Sequence, residues 1–536
     1  MTRSTPIHRA QYLVIGSGLA GLFFALQVAD RGRVIILTKE QPTSSNTRWA
    51  QGGISAVFDG DDTLQSHVAD TLHVGAGLCH REMVERAVAM APALVQRLAD
   101  QYGVRFDRQG DREDAPFKLG REGGHSHRRV VHHLDTTGAE MMRGLLAAAQ
   151  AHPNITILPH HMVIDLLSWS KVDGTRGCFG AYSLDTQTGT VGAYVAPVTV
   201  LAAGGAGKVY RYTSNPDVAT ADGIAMAFRI GAKVGNLEFM QFHPTCLYHP
   251  EAKSFLVSEA VRGEGGILRR KDGSELMKGR HPMESLAPRD VVAREIDAEL
   301  KRSGDDCVLL DVTHLAPDFV VQRFPSIHAR CMQLGIDMRV RPLPVVPAAH
   351  YMCGGVVVDP WGRTSIPGLL AIGEVAMSGM HGACRLASNS LLEALVLAAG
   401  AAEIGDAFGD RAPPDTVSHW NEGDAVDSDE AVMVTANWQE VRALMWNYVG
   451  IVRSNKRLAR ARRRIDLIRE EIRDYYWRFR VTRDLLELRN ISLCASLILE
   501  CADRRRESRG LHYTLDYPNI DPSQEHDTVI DKRVLR

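Results

Sequence analysis

Paired cysteines, long apolar runs and net charge are all scarce in this chain of 536 residues. Its nine cysteines are scattered, and no two stand as CxxC. That argues against a metal site: no zinc or iron–sulfur site, and no c-type haem attachment, is built from such thiols. They read as reduced, mostly buried side chains of a cytoplasmic protein. No run approaches the ~20 apolar residues that a membrane span needs. The one early apolar stretch, Leu13 to Val28, is interrupted by Gly16, Gly18 and Gly21. It is a turn and its flanks, not a signal peptide. A net charge of -2 provides no field for nucleic acid. There is no internal repeat and no low-complexity tract. What remains is 45% hydrophobic and 24% charged residues, the balance of a soluble globular enzyme with about two to four domains.

The chain's first strong signal follows Gln11-Tyr-Leu-Val-Ile15, an apolar strand that runs into Gly16-Ser17-Gly18-Leu19-Ala20-Gly21. Helix-compatible residues continue from Leu22 to Ala29, and Val34-Ile-Ile-Leu37 is a second strand. A GxGxxG turn in that context presents bare N–H groups and a helix N-terminus to a pyrophosphate. An NAD site usually ends its second strand on Asp or Glu for the ribose. Here the strand ends Thr38-Lys39, with Glu40 one place later, which weakens an NAD reading. Two further glycine turns follow strands: Val198–Leu201 into Ala202-Ala203-Gly204-Gly205-Ala206-Gly207, and Gly368-Leu-Leu-Ala-Ile-Gly373-Glu374. Three such segments resemble those of the two-dinucleotide-fold FAD enzymes, and the resemblance implies FAD and an α/β architecture of that type.

Between these signals the chain changes character. Residues 241–353 are polar and irregular, rich in His, Pro and Arg, and residues 354–420 return to strand and glycine patterns. Arg411 to Asp415 holds two prolines and reads as a linker. Beyond it, Ala436 to Cys501 reads as one long helical stretch of mixed charge. Its dense Arg and Glu from Leu458 to Phe479 fit a solvated helix hairpin laced with ion pairs better than a nucleic-acid surface. The expected domains are therefore 1–240 plus 354–420, then 241–353, then 425–536.

Motifs along nearly the whole chain sharpen this. Ser44-Ser45-Asn46-Thr47-Arg48-Trp49-Ala50-Gln51-Gly52-Gly53 is the first. Gln241-Phe242-His243-Pro244-Thr245 and Ser258-Glu259-Ala260-Val261-Arg262-Gly263-Glu264-Gly265-Gly266 follow. Next come Pro288-Arg289-Asp290, Pro347-Ala-Ala-His350-Tyr351 and His381 to Leu391, with Glu507 to His512 near the end. In this order they resemble the flavoproteins of the succinate dehydrogenase and fumarate reductase family. The resemblance implies an α/β FAD-binding domain, an inserted α+β capping domain at 241–353 and a C-terminal α-helical domain. In the membrane-complex members a histidine of the first motif is joined covalently to the flavin. This chain has Asn46 there, so the resemblance implies non-covalent FAD.

The stretch Arg121-Glu122-Gly123-Gly124-His125-Ser126-His127-Arg128-Arg129 is similar to that of the family's aspartate-oxidising branch. The dicarboxylate dehydrogenases carry an apolar residue where this chain has Glu122. An amino dicarboxylate needs cationic or strongly donating partners for two carboxylates and an acceptor for its ammonium. Arg385 with His350 can hold one carboxylate, and His243 with the Ser258 hydroxyl the other. Glu122 is the acceptor that a succinate site lacks. Singly, each residue also fits a satisfied core histidine, an ion pair or a charged loop. Only together, and with the resemblance, do they read as a site.

The resemblance further implies oxidation of L-aspartate to iminoaspartate, with FAD reoxidised by O2, giving hydrogen peroxide, or by fumarate, giving succinate. This would be the first step of NAD biosynthesis through quinolinate. A transient hand-over of iminoaspartate to quinolinate synthase follows from pathway logic alone. Arg289 stands where the family's proton-transferring arginine lies, and Asp290 or Glu264 is its expected counter-charge. The FAD contacts carried over are Gly16 to Gly21, Lys39, Asn46 to Gly53, Met162 and Val163, Asp222, Glu374, and Ser390 with Leu391. Two other readings stay open: a soluble fumarate reductase or succinate dehydrogenase-type flavoprotein, and a non-catalytic binding protein on the same fold.

Overall fold

A computed structural model of the chain describes all residues except 1–4, 111, 113, 172–175, 253–254, 406–412 and 533–536. The start of the expected linker, Arg411 and Ala412, thus lies outside the described residues. At the centre is a five-stranded parallel sheet. Its order is Leu369–Ala371, Val198–Leu201, Tyr12–Ile15, Val34–Leu37 and Ile155–Leu158. All three strands that feed the glycine signals therefore lie side by side, with their carboxyl ends at one edge. That edge is where open α/β sheets bind ligands. The four residues of Tyr12–Ile15 and of Val34–Leu37 are buried, as expected for strands covered on both faces. Leu19–Val28 is helical, with all but two of its residues buried, and packs against the helix Asn389–Ile404.

Residues 241–353 are more regular than their polar sequence suggests. Met240–Leu247, Leu343–Met352, Val308–Asp311 and Ile267–Arg269 form a four-stranded antiparallel sheet. It carries the helix Arg289–Ser303 and encloses a separate apolar core that includes Val257, Leu268, Ile296, Leu310 and Val345. Periodicity hid these strands because they are short and broken by prolines and bulges; the pairing of Met240–Leu247 shifts register twice.

The helical stretch expected after residue 436 is three helices, Val432–Val449, Asn455–Arg478 and Arg483–Arg504, and the part from Leu458 expected as a hairpin lies on the second of them, a single helix. Gly450 ends the first. Ser454 and Thr482 start the next two by accepting backbone N–H bonds from Arg457 and Leu485. On the middle helix Leu458, Ala461, Ile465, Ile468, Ile472 and Tyr476 recur every three or four residues and are buried, which is the stripe a packed helix needs. Its arginines pair outward, Arg462 with Glu500 at 3.1 Å among them. The chain then returns to the rest of the molecule, since Val529–Ile530 pairs with Val234–Gly235. Among the described residues no helix is long and apolar enough to cross a membrane.

Candidate active site

A cavity of about 1280 Å³ runs from the glycine turns to the strands of segment 241–353. Every sequence-predicted site residue lines it except Gly21. A Cβ on Gly21 would lie 2.1 Å from the Gly16 carbonyl oxygen. Its task is to let the helix close onto the turn, not to touch a ligand. Gly16 is in the left-handed region (φ +115°), and a Cβ there would meet the Ala202 carbonyl oxygen at 2.1 Å. The first two glycine turns are thus packed backbone to backbone. Gly204 (φ +73°) has nothing within 4 Å of an added Cβ, so its bare backbone forms open wall.

Lys39 and Asp222 line the same wall, but their charges are turned inward. The Lys39 ammonium donates to Asp222 Oδ2 and Glu487 Oε1, both at 2.8 Å, and to Thr220. Asn490 donates to Asp222 Oδ1 at 2.7 Å. All three ammonium protons are used. Neither side chain is free to grip a cofactor, and the contacts left to these positions are those of the backbone. Burial lowers the Lys39 pKa, but Asp222 and Glu487 outweigh it and hold the value above the ordinary one.

Asn46 donates to Glu374 Oε2 at 2.8 Å, and Met352 N–H donates to Glu374 Oε1 at 3.1 Å. Burial pushes the Glu374 carboxyl up to about 7. Asn46 Oδ1 and Gln51 Oε1 are buried without a hydrogen-bond partner. Unsatisfied acceptors, a glycine wall and two helix N-termini, at Leu19 and Asn389, fit a dinucleotide. Met162 and Val163 enter from the strand His161–Ser170, and Ser390 and Leu391 from the first turn of Asn389–Ile404.

At the other end, side chains from five separate segments converge. His243 and His350 have ring centroids 5.4 Å apart. Burial depresses both imidazoles well below 6.5, helped at His243 by Arg289 and at His350 by Arg385. Both are therefore neutral at neutral pH. Thr245 N–H donates to His243 Nδ1 at 3.3 Å, which leaves the ring proton on Nε2 as a donor. Ser214 Oγ is 2.7 Å from His350 Nδ1. Arg385 donates to Gln241 Oε1 at 2.8 Å and Ser390 Oγ at 3.2 Å, and its guanidinium lies 4.5 Å from the centre of the Tyr351 ring. Its Nε is buried without a partner, and among the described residues no carboxylate pairs with it. Tyr351 donates in turn to the buried Glu393 at 2.8 Å. Ser258 lines the wall just before the short helix Ala260–Gly263.

The counter-charge of Arg289 is Glu259, not Asp290 or Glu264. Asp290 pairs with Arg294 at 3.0 Å and Glu264 with Arg323 at 2.8 Å, because a helix turns both away from Arg289. Arg289 Nε donates to Glu259 Oε2. Burial works against the Arg289 charge, but the carboxylates of Glu259 and Glu122 outweigh it and hold its pKa above the ordinary value. Arg262, one helical turn beyond Glu259, is buried; its Nη2 lies 3.7 Å from Glu259 Oε1, and neither Nε nor Nη2 makes a hydrogen bond. Glu259 and Arg262 stood in a quoted motif, and their i, i+3 spacing was the available signal. Gln241, Tyr351 and Ser388 also stood in those motifs, whereas Ser214 carried no signal beyond its polarity.

A model of the FAD binding domain matches residues 11–391, and one of the fumarate reductase flavoprotein C-terminus matches residues 438–532. The chain is 54% identical to L-aspartate oxidase 1 of Ralstonia nicotianae, over 95% of this chain and 96% of that one. It is 50% identical to L-aspartate oxidase of Pseudomonas aeruginosa, over 97% of each. The chain belongs to the L-aspartate oxidase family. It is an FAD-dependent oxidoreductase. Among solved structures it is similar to a quinol fumarate reductase of E. coli, with a TM-score of 0.85 and 29% identity over 97% of this chain and 93% of that one. Sdh1 of Mycobacterium smegmatis gives 0.84 and 29% over 98% and 94%. The wider flavoprotein family expected from the motifs is thus shown, along with its FAD-binding and C-terminal helical parts.

Proposed function

We propose that this chain oxidises L-aspartate to iminoaspartate on non-covalently held FAD, in the first step of NAD biosynthesis through quinolinate. In this reading residues 1–240 with 354–420 bind FAD, 241–353 cap the site, and 425–536 form the helical domain. The observation that carries it is Glu122: a carboxylate near enough to Arg289 to support its charge, in the wall of the cavity that Arg385, His243 and His350 also line.

FAD supplies a two-electron acceptor that takes hydride from the substrate Cα and returns electrons to O2 or fumarate. The residues do the rest. Arg385, held by Gln241 and Tyr351 and free of any carboxylate partner, takes one substrate carboxylate with His350. Neutral His243, donating from Nε2, takes the other with Ser258. Uncharged imidazoles donate without adding two more cations to a site that already holds Arg289 and Arg385. Glu122 accepts the substrate ammonium, which must lose a proton as the Cα–H bond breaks. For fumarate, Arg289 is the proton donor, kept charged by Glu259. Asn46 engages Glu374 through an amide, whose nitrogen is too weak a nucleophile to bond to a flavin.

Adding L-aspartate to the yellow holoenzyme under nitrogen should bleach it, and acid precipitation should leave FAD in the supernatant. Bleaching by succinate but not aspartate would turn the reading to a dicarboxylate dehydrogenase, which the same arginines and histidines could serve. Flavin retained on the denatured chain would refute non-covalent attachment.

A further inference from the structure

We infer that Ser388 and Gly52 determine the preference of this site for an amine-bearing dicarboxylate, by fixing the carboxylate of Glu122. The inference rests on the aspartate reading above. It concerns how the amine acceptor is aimed.

Ser388 precedes the helix Asn389–Ile404 with φ +59° and ψ 0°. A serine seldom adopts that left-handed conformation, and it persists only where surroundings enforce it. Seven non-glycine residues among those described have positive φ, and Ser388 alone of them lines the cavity. Its carbonyl is fastened from outside: Ser55 N–H donates to it at 3.3 Å, and the Ser55 hydroxyl, 3.3 Å from it, shares its proton with Asn389 Oδ1. This turns the hydroxyl toward the site. Gly53 N–H donates to Ser388 Oγ at 3.4 Å, and Ser388 Oγ donates to Glu122 Oε2 at 2.7 Å.

The order of donors decides the chemistry. A hydroxyl has one proton. With Gly53 N–H pointing at its oxygen, that proton goes to Glu122. Oε2 must then be an acceptor, as in an ionised carboxylate. Oε1 makes no hydrogen bond to any described residue and is left for the substrate ammonium. Gly52 keeps the space around it: a Cβ there would lie 2.6 Å from Glu122 Oε1. Gly52 is not in the left-handed region, so alanine strains no backbone at that position. The obstacle it meets is the end of a movable side chain. A methyl group at 52 would therefore shift the carboxylate without disrupting the fold. Fumarate and succinate, which lack the amine, draw nothing from this arrangement.

The test uses holoenzyme at saturating FAD, with kcat/KM for L-aspartate oxidation and for fumarate reduction by an artificial donor, plus the FAD dissociation constant. Ser388→Gly removes the hydroxyl and relieves the backbone. It should lower the aspartate-to-fumarate ratio about 5- to 10-fold, mainly through KM for aspartate, less than loss of the direct bond to the ammonium would, because Glu122 keeps its charge and loses only its aim. Ser388→Cys, a weaker donor of similar size, should fall between, and Gly52→Ala should lower the same ratio. In a Glu122→Gln background Ser388→Gly should add almost nothing, since both act on one carboxylate. A full additional 5- to 10-fold loss in that background would overturn the inference, as would an unchanged ratio in all three single variants. Equal loss of both activities with weakened FAD binding would show Ser388 to be structural, and would overturn it too. If Glu122→Gln itself keeps the wild-type ratio, it is the ammonium role of Glu122 that fails. If Glu122→Gln collapses the ratio and the Ser388 and Gly52 variants do not, only this inference falls.

Discussion

At the end proposed for the cofactor the cavity wall presents the backbone of Gly16, Gly18, Gly204 and Gly205, with side-chain charges such as Lys39 and Asp222 neutralised behind it. At the end proposed for the substrate it presents side chains, with Arg289, Glu259, Arg385 and Glu122 among them. The first surface suits binding by shape and N–H groups, which tolerate no added atoms but need no particular side chain. The second suits binding by charge, and Arg385 keeps a buried Nε donor unspent. Damage to the two should therefore look different. Cofactor-end changes should cost FAD, and substrate-end changes should cost turnover with the flavin still in place.

The largest effect should come from Arg385→Leu. Losing the guanidinium that meets a buried carboxylate costs roughly 3–5 kcal/mol, or some 10²- to 5 × 10³-fold in kcat/KM. Aspartate oxidation and fumarate reduction should fall together in steady-state assays, and the visible spectrum should report normal flavin content. Glu122→Gln sharpens the comparison within the substrate end. A charge-assisted bond to the ammonium is worth about 1.5–3 kcal/mol, hence about 10- to 150-fold on aspartate, with fumarate reduction within a few-fold of wild type. Equal loss on both substrates would remove the amine argument. Gly16→Ala tests the other end. Its positive φ alone costs of order 1–3 kcal/mol in a non-glycine residue, and the clash with Ala202 adds to it. Fluorescence titration should show FAD affinity at least about 10-fold weaker, while enzyme saturated with FAD keeps its KM for aspartate.

Acid should weaken the two ends unequally. His243, His350 and His512 are depressed well below 6.5 by burial, and His67 to about 4. Unfolded histidines bind protons near 6.5 while these native ones do not, so their contribution to stability is full above pH 6.5 and declines as pH falls toward 4, with four such histidines set against the opposite contribution of Glu374, raised to about 7. The Tm should drop over that window, and His67→Gln should flatten part of the drop. A Tm that rises on acidification would contradict the buried neutral assignment. The smallest effect should be Asn46→Ala. It removes one hydrogen bond to Glu374, worth about 0.5–1.5 kcal/mol, and should weaken FAD binding a few-fold without altering the aspartate-to-fumarate ratio.

The same division governed what could be read in the chain beforehand. The turn at Gly16, the strands Val34–Leu37 and Val198–Leu201, and Ser390 at a helix start are local patterns within about ten residues, and each stands where the sequence indicates. Residues 241–353 hid their sheet because its strands pair across long gaps, Ile267 with Asp311 for example. The three C-terminal helices merged into one because their breaks rest on single capping residues.

By itself the sequence determined the dinucleotide fold and which residue types gather for an amino dicarboxylate, because spacing along a strand–turn–helix fixes backbone geometry, and residue type fixes charge. Only the tertiary structure decided which charges are spent and which remain available. Arg289 takes Glu259 because helical geometry turns Asp290 toward Arg294. Lys39 is consumed by Asp222 and by Glu487, 448 residues away. Ser388 and Glu122, 266 residues apart, meet at 2.7 Å. Electrostatic pairing depends on distance in space and on burial, and neither is written in the order of the residues.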